Sequence, residues 1–178
     1  MKILLGVTSS IAAYRTPNLV SQFKKQGHEV KCMISEAAKA FVAPQALAVM
    51  SQNPCFTDSD EWKNTPEVLH IQLAKWCDVC LLAPLSANTL AKISNGLCDN
   101  LLTSTIRALG KTALILAPAM NTRMWENPLT TIQFEQVKKF YNVTVIDPVE
   151  KRLADGDEGI GGLAEDNTII ETINKIKL

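Results

Sequence analysis

The stretch KILLGVTSSI at residues 2–11 decides the fold. Its apolar first half predicts a buried strand over 2–8 that ends in a turn of small residues, Thr8–Ser10. The amphipathic pattern that follows predicts a helix over about 11–26. A strand that passes into a helix through so short a turn is typical of a parallel sheet with helical crossovers.

Strands and helices alternate in the same way along the rest of the chain. The predicted strands are continuously apolar, which is typical of a parallel sheet covered by helices on both faces. We therefore expect a single α/β domain over residues 1–178, with a three-layer, doubly wound parallel sheet. A polar segment at 53–69 predicts a long loop, and the glycines of 155–162 predict a mobile flap. The other predicted strands are 29–34, 79–83, 112–117 and 143–146, and the other predicted helices are 36–51, 70–76, 130–140, 167–177 and one that begins at 89.

Composition and charge exclude several classes of protein. Hydrophobic residues make up 47% of the 178 residues and charged residues 20%, which excludes an intrinsically disordered chain. The formal net charge is +0, so we expect neither a nucleic-acid partner nor a membrane partner. No apolar run reaches the ~20 residues of a membrane span, and the N-terminus lacks a signal-peptide core, so a cytoplasmic location is expected.

The cysteines predict neither a disulfide framework nor a metal site. They are five in number, and most of them lie among apolar residues, which is typical of reduced thiols. Cys77 and Cys80 form a C-x-x-C pair, but this pair borders a predicted buried strand and has no second ligand pair.

Small polar residues follow three of the predicted strands, at Thr8-Ser9-Ser10, at Ser86-Ala87-Asn88-Thr89 and at Met120-Asn121-Thr122. The carboxyl ends of parallel strands meet at one edge of the sheet, where such folds bind ligands. The strand-to-helix turn at Ser9-Ser10 suits a phosphate, although these serines, like Ser35 after the second strand, also suit plain helix capping. Neither a G-x-G-x-x-G fingerprint nor a P-loop is present, which disfavours dinucleotides and nucleoside triphosphates.

His70 is the candidate general acid or base, because imidazole titrates near neutral pH. A hydrogen-bonded structural histidine is the competing interpretation. The amides of Asn88 and Asn121 suit a carboxylate or the edge of a flavin ring, and simple turn formation is the competing interpretation for both.

Four motifs resemble a known family, the flavin-dependent cysteine decarboxylases. They are SSIAAY (9–14), HIQLAKW (70–76), APLSANTL (83–90) and APAMNTRMW (117–125), and NGLCDNLLT (95–103) and GDEGIGGLAE (156–165) add to them. The resemblance covers nearly the whole chain and is greatest to the coenzyme A branch of the family. It implies a flavodoxin-like or Rossmann-like fold that binds FMN, in a homotrimer or higher homo-oligomer with the flavin at a subunit interface.

The resemblance also implies roles for particular residues. His70 would be the catalytic base, and Asn121 would bind the substrate carboxylate beside Met120 and the flavin. The segment 152–164 would close over a small-molecule cysteine conjugate. The implied substrate contacts are Asn121, Ala154 and Gly156, and the implied FMN contacts are Ser9, Ser10, Ile11, Ser35, Ser86, Ala87, Asn88, Thr89 and Met120.

The implied reaction is that of a carboxy-lyase, which converts 4′-phosphopantothenoylcysteine to 4′-phosphopantetheine in coenzyme A biosynthesis. A cysteinyl carboxylate loses CO₂ with difficulty because the resulting carbanion is not delocalised. Oxidation of the thiol-bearing carbon to a thioaldehyde, with FMN as the acceptor, removes this obstacle. Reduction and protonation of the enethiolate then give a saturated thiol. Since the chain ends at Leu178, we expect the ligation step of that pathway to belong to another protein.

One residue departs from the family pattern. The coenzyme A branch carries a flap cysteine in a pattern like Ala-Cys-Gly-Asp, and this chain has Asp155 at that position, in ADGD (154–157). Either Asp155 replaces the cysteine as the acid, or the reaction stops at the enethiol, or the residue has been altered. The alternative functions are a peptidyl-cysteine decarboxylase that forms a C-terminal enethiol, and a regulatory or partner flavoprotein subunit. The motif APAMNTRMW disfavours flavin prenylation.

Overall fold

Six parallel strands form the central sheet of the computed structural model, which describes residues 1–63 and 66–176. The strands are β1 (Lys2–Val7), β2 (Glu29–Ile34), β3 (Cys55–Phe56), β4 (Val79–Leu85), β5 (Ala113–Pro118) and β6 (Val143–Val145). Their order is β3-β2-β1-β4-β5-β6, with every neighbouring pair parallel. Without the two-residue β3, the other five strands renumbered along the chain run 2-1-3-4-5, which is the flavodoxin-like order.

Helices cover both faces of this sheet. They are α1 (Thr16–Lys25), α2 (Pro44–Ser51), α3 (Asp58–Glu61), α4 (Leu69–Trp76), α5 (Ala87–Ser94), α6 (Leu101–Arg107), α7 (Thr122–Trp125), α8 (Pro128–Phe140) and α9 (Asp166–Asn174). Helices α1, α2 and α9 contribute to the core on the first face, and α4, α5, α6 and α8 contribute to the core on the second face. Along β1, Ile3, Leu5 and Val7 belong to the first core and Leu4 to the second, because successive side chains of a strand point to opposite faces. The predicted three-layer, doubly wound sheet is therefore confirmed.

The position of β1 creates a crevice at the carboxyl edge of the sheet. β1 lies between β2 and β4, and the chain leaves β1 toward the first face but leaves β4 toward the second. The loops that follow β1 and β4 therefore diverge, and an open α/β sheet binds its ligands at such a switch point.

Two predicted helices are each divided in the structure. The segment 11–26 begins as a 3₁₀ helix, Ile11–Arg15, and becomes α1 at Thr16. The segment 36–51 is likewise a 3₁₀ helix, Glu36–Ala40, followed by α2. In both cases a proline stands at the start of the α-helix, where its missing N–H costs nothing.

The prediction of a long loop over 53–69 is wrong in part, because this segment contains β3 and α3. Helix α3 has three acidic residues in its first turn, which the helix dipole favours. The boundaries of α6 and the short helix α7 were also missing from the prediction. Residues 64–65 of the predicted loop and residue 177 of the predicted last helix lie outside the described residues.

The glycine-rich flap is an antiparallel hairpin of β7 (Val149–Arg152) and β8 (Glu158–Gly162). It stands apart from the main sheet as a second, two-stranded sheet, and its mobility stays a prediction. Among the described residues, no helix has the length and apolar character needed to cross a membrane.

Candidate active site

A cavity of about 810 Å³ opens at the carboxyl edge of the sheet, beside the ends of β1, β4 and β5. The three turns that the sequence singled out all line it: Ser9-Ser10, Ser86–Asn88 and Met120-Asn121. The hairpin contributes the stretch from Lys151 to Asp155 to another wall. Much of the remaining wall is apolar, with contributions from Ile11, Phe41, Met124 and Leu163.

Thr8 holds the first two turns together. Its side chain is fully buried, and its Oγ1 donates a hydrogen bond to the carbonyl oxygen of Pro84 at 2.8 Å. Oγ1 of Thr8 also accepts a hydrogen bond from the Ser86 N–H at 2.7 Å. One hydroxyl therefore bridges the end of β1 and the turn after β4, which places Ser9 and Ser10 beside Ser86.

Two of the three serines in these turns, Ser10 and Ser86, also cap helices. Ser10 Oγ accepts a hydrogen bond from the Ala12 N–H at 3.4 Å, and Ser86 Oγ accepts one from the Thr89 N–H at 3.3 Å. Thr89 is buried, bonds to the Ser86 hydroxyl at 3.2 Å, and does not line the cavity. The capping interpretation is therefore confirmed for Ser10, whereas Ser35 makes no side-chain cap bond. Ser10 and Ser86 both still face the cavity.

Asn121 is bonded to the flap. Its Nδ2 donates a hydrogen bond to the carboxylate of Asp155, and its Oδ1 accepts one from the Arg123 N–H at 2.9 Å at the start of α7. A bond from the Asn121 amide to a carboxylate is the chemistry that the sequence predicted for this side chain. Here the carboxylate belongs to the protein itself.

A backbone bond fixes the base of the hairpin against the Met120-Asn121 turn. The Met120 N–H donates to the Gly161 carbonyl oxygen at 2.9 Å. Gly161 has a φ of 152°, and a Cβ on this residue would collide with the Met120 carbonyl oxygen. Glycine is therefore required where the hairpin meets the cavity wall.

One of the two arginines that line the cavity, Arg15, is bonded to the protein itself. Both terminal nitrogens of Arg15 donate to backbone carbonyl oxygens, of Leu163 and Ala164, at 3.0 Å. Arg15 also pairs with Asp166 at 2.5 Å, at the start of α9. These bonds anchor the segment after β8 to the first turn of the chain, so Arg15 acts here as a structural clamp.

His70 lies in the first turn of α4 and does not line the cavity. Its Nδ1 is bonded to the Glu61 carboxylate, and its ring lies edge-on to Trp62 with 6.4 Å between the centroids. Ser35 and Gly156 also lie outside the cavity wall, whereas Ala154 is part of it. The roles predicted for all of these residues stay predictions.

Several residues at or near the site were missed by the sequence analysis. Phe41 supplies apolar wall, and Glu61 is bonded to His70. Thr8 belongs to the predicted small-residue turn, but the structure turns its hydroxyl to the backbone and away from the cavity. Nothing in the sequence indicated a role for Glu61, because it lies nine residues before His70 in a segment that the sequence predicts to be a loop.

Burial excludes most of the cysteines from ionic chemistry. Desolvation raises the pKa of Cys77 to about 11 and that of Cys55 to about 12. Desolvation also raises the pKa of Cys32 and that of Cys80, both of which are fully buried. These four thiols are therefore protonated at neutral pH. All five cysteines are free, as predicted.

Comparison with known proteins gives consistent results along the whole chain. The sequence pattern of the family described as Flavoprotein matches residues 1–177. Phosphopantothenoylcysteine decarboxylase of Mus musculus is 45% identical, over 98% of this chain and 86% of its own length.

Two solved structures are also similar. A Cys-to-Ser variant of PPC decarboxylase complexed with pantothenoylaminoethenethiol is 41% identical, has a TM-score of 0.90, and shares 97% of this chain and 96% of its own. The FMN binding protein AtHal3 is 42% identical, has a TM-score of 0.86, and shares 97% of this chain and 94% of its own.

The bridging role of Thr8 predicts the effect of removing its hydroxyl. Thr8→Val keeps the shape of the side chain but leaves the buried Ser86 N–H without its acceptor, so the free energy of unfolding should fall by about 1–3 kcal/mol. Thr8→Ser keeps the hydroxyl and is the control. Chemical denaturation of the three proteins measures the difference, and equal stability of the Val and Ser variants would show that the bridge contributes nothing.

Proposed function

The chain belongs to the flavoprotein family, and we propose that it is an FMN-dependent phosphopantothenoylcysteine decarboxylase. It would convert 4′-phosphopantothenoylcysteine to 4′-phosphopantetheine and CO₂. The observation that carries the proposal is the cavity at the switch point, because it brings together all three strand-end turns that the resemblance assigns to cofactor and substrate. The identity of 45% to a decarboxylase of this name, over nearly the whole chain, supports it.

The residues of the cavity fit FMN. The hydroxyl-bearing turn at Ser9-Ser10 suits the phosphate end, and the apolar side chains of Ile11 and Met120 suit the faces of a flavin ring. The turn Ser86–Asn88 offers hydroxyl and amide groups to the polar edge of that ring. When bound, FMN supplies an acceptor for the hydride of the thiol-bearing carbon of the substrate. Ser35 and Thr89 do not line the cavity, so their predicted contacts have less support than the others.

Asn121 is proposed to bind the substrate carboxylate. Its amide already donates to a carboxylate, that of Asp155, and this bond supports the proposal. The substrate carboxylate would replace Asp155 at this amide. Displacement of Asp155 frees the flap acid at the moment when the substrate arrives.

His70 is proposed to act on the cavity of a second copy of the chain. It does not line the cavity of its own chain, although it lies at the same edge of the sheet, in the first turn of α4. Exposed apolar residues occur both at the cavity wall, with Ile11 and Tyr14, and beside His70, with Trp62. Contact between these surfaces would bury apolar area and complete the site, as the homotrimer implied by the resemblance requires.

Asp155 is proposed to replace the flap cysteine as the proton donor. A saturated thiol forms only if the enethiolate carbon receives a proton, and Asp155 is the acid that lies against Asn121. The competing outcome is an enethiol product, as in a peptidyl-cysteine decarboxylase. A protein with a similar structure holds an enethiol as a Cys-to-Ser variant, so the fold is able to bind such a compound. A cytoplasmic location stays part of the proposal and is untested.

The product of the purified protein decides between these functions. With 4′-phosphopantothenoylcysteine we expect a yellow protein that releases CO₂ and forms the saturated thiol 4′-phosphopantetheine, as measured by mass spectrometry. A product two hydrogen atoms lighter would indicate a reaction that stops at the enethiol. Turnover of a peptide with a C-terminal cysteine, without turnover of the small molecule, would contradict the proposed substrate.

Substitution of Asp155 tests the proton-donor role. Asp155→Asn keeps a similar shape but has no acidic proton, so formation of the saturated thiol should slow about 100-fold, whereas CO₂ release in the first turnover, before reduced FMN has to be reoxidised, persists. Asp157→Asn, two residues along the same flap, is the matched control. Equal loss of CO₂ release and of thiol formation would argue against a proton-donor role for Asp155.

Mixing of two inactive variants tests the shared site. His70→Asn and Asn121→Ala should each lack activity as a homo-oligomer. After joint unfolding and refolding, mixed oligomers should regain part of the wild-type rate, because some sites then combine an intact Asn121 with an intact His70 of the neighbouring copy. No recovery in oligomers that are shown to be mixed would place both residues in one chain's site.

A further inference from the structure

Helix α3 is a fixed platform behind His70. Asp60 Oδ2 accepts hydrogen bonds from the Thr57 N–H at 2.8 Å and from the Thr57 hydroxyl at 2.9 Å, which fixes the start of the helix. Asp58 Oδ1 accepts a bond from the Leu101 N–H at 2.9 Å, which ties α3 to the start of α6. These bonds fix the backbone of α3, which carries the third acid, Glu61.

The Glu61 carboxylate is turned inward toward His70. Its side chain is 6% exposed and that of His70 is 20% exposed. Oε1 is bonded to Nδ1 of His70, whereas Oε2 is buried and has no hydrogen-bond partner among the described residues. A buried carboxylate with a single bonded partner depends strongly on that partner.

This arrangement selects one tautomer of His70. A carboxylate can only accept, so Nδ1 must carry the proton, and Nε2 of the neutral ring keeps its lone pair. The edge of the Trp62 ring limits rotation of the imidazole from another side. In the described part of the chain, the hydrogen bonds of His70 include none to Nε2, so this nitrogen is available to a substrate.

We infer that Glu61 is a positioning residue for the reaction, which holds His70 in the Nδ1–H tautomer so that Nε2 accepts a substrate proton. The inference rests on the proposed function for the role of His70 as the base. When Nε2 takes the proton, the adjacent carboxylate stabilises the imidazolium through the Nδ1–H bond. Glu61 does not line the cavity of its own chain, so we assign it an action through His70.

Glu61→Gln is the decisive variant. The neutral amide has the same length but can donate to Nδ1 as well as accept from it, so His70 is no longer held in one tautomer. Glu135→Gln is the matched control, since it makes the same acid-to-amide change at an exposed pair with Lys138 in α8, away from His70 and from α3. Glu61→Asp keeps the carboxylate. Its kcat and its fraction of the Nδ1–H tautomer should therefore lie between those of Glu61→Gln and those of the wild type.

The tautomer is measured by ¹H–¹⁵N correlation spectra of the FMN-loaded protein labelled with ¹⁵N-histidine. Only two histidines contribute, and His28, whose ring bonds to Asn174 at 3.2 Å, is an internal reference. We expect the Nδ1–H form of His70 in the wild type and in Glu135→Gln, and a shift toward the Nε2–H form in Glu61→Gln. The kcat for decarboxylation should fall about 100-fold or more in Glu61→Gln, with a smaller change in KM.

The spectra and the rates test the inference and the proposed function separately. A wild-type His70 in the Nε2–H form, or an unchanged tautomer in Glu61→Gln, would overturn the inference even if the enzyme decarboxylates. An unchanged kcat in Glu61→Gln would overturn it as well. A wild-type protein without decarboxylase activity but with the expected tautomers would contradict the proposed function and leave the Glu61–His70 pairing supported.

Discussion

The arrangement of the site depends on one buried hydroxyl. Thr8 joins the end of β1 to the turn after β4 by donating to the Pro84 carbonyl and accepting from the Ser86 N–H. These two strands flank the switch point, where the chain departs toward opposite faces of the sheet. Together with the bond from the Thr8 N–H to the same Pro84 carbonyl oxygen at 3.3 Å, the bridge holds the two turns side by side at the cavity.

The other wall of the cavity is formed by a hairpin that stands apart from the main sheet. The hairpin β7–β8 is attached to the Met120-Asn121 turn by a backbone bond at Gly161, and its tip reaches Asn121 through Asp155. The attachment at Gly161 is buried, whereas Asp155 is exposed to water. The tip is therefore the part that a substrate carboxylate displaces most easily, because an exposed polar bond contributes little to stability. A rigid base and a displaceable tip suit a flap that closes over its substrate.

The layers of the fold could be predicted from the sequence, because the continuously apolar strands and their small-residue turns have one reasonable arrangement. The turns at Ser9, Ser86 and Asn121 could be predicted as neighbours from the topology alone. Glu61 could not be predicted as part of the site, because the polar segment DSDE has no periodicity. Its helix, α3, is held by the hydrogen bond that Asp58 accepts from the Leu101 N–H. The position of His70 outside its own chain's cavity is also a tertiary property, which no spacing in the sequence expresses.

A crystal structure of the purified protein with FMN and a substrate analogue tests the central claim most directly. The account predicts a flavin ring between the Ser86–Asn88 turn and the Met120-Asn121 turn, with its phosphate at Ser9-Ser10 and the analogue's carboxylate on Asn121 in place of Asp155. A flavin bound elsewhere, or a carboxylate that leaves the Asn121–Asp155 bond intact, would contradict it.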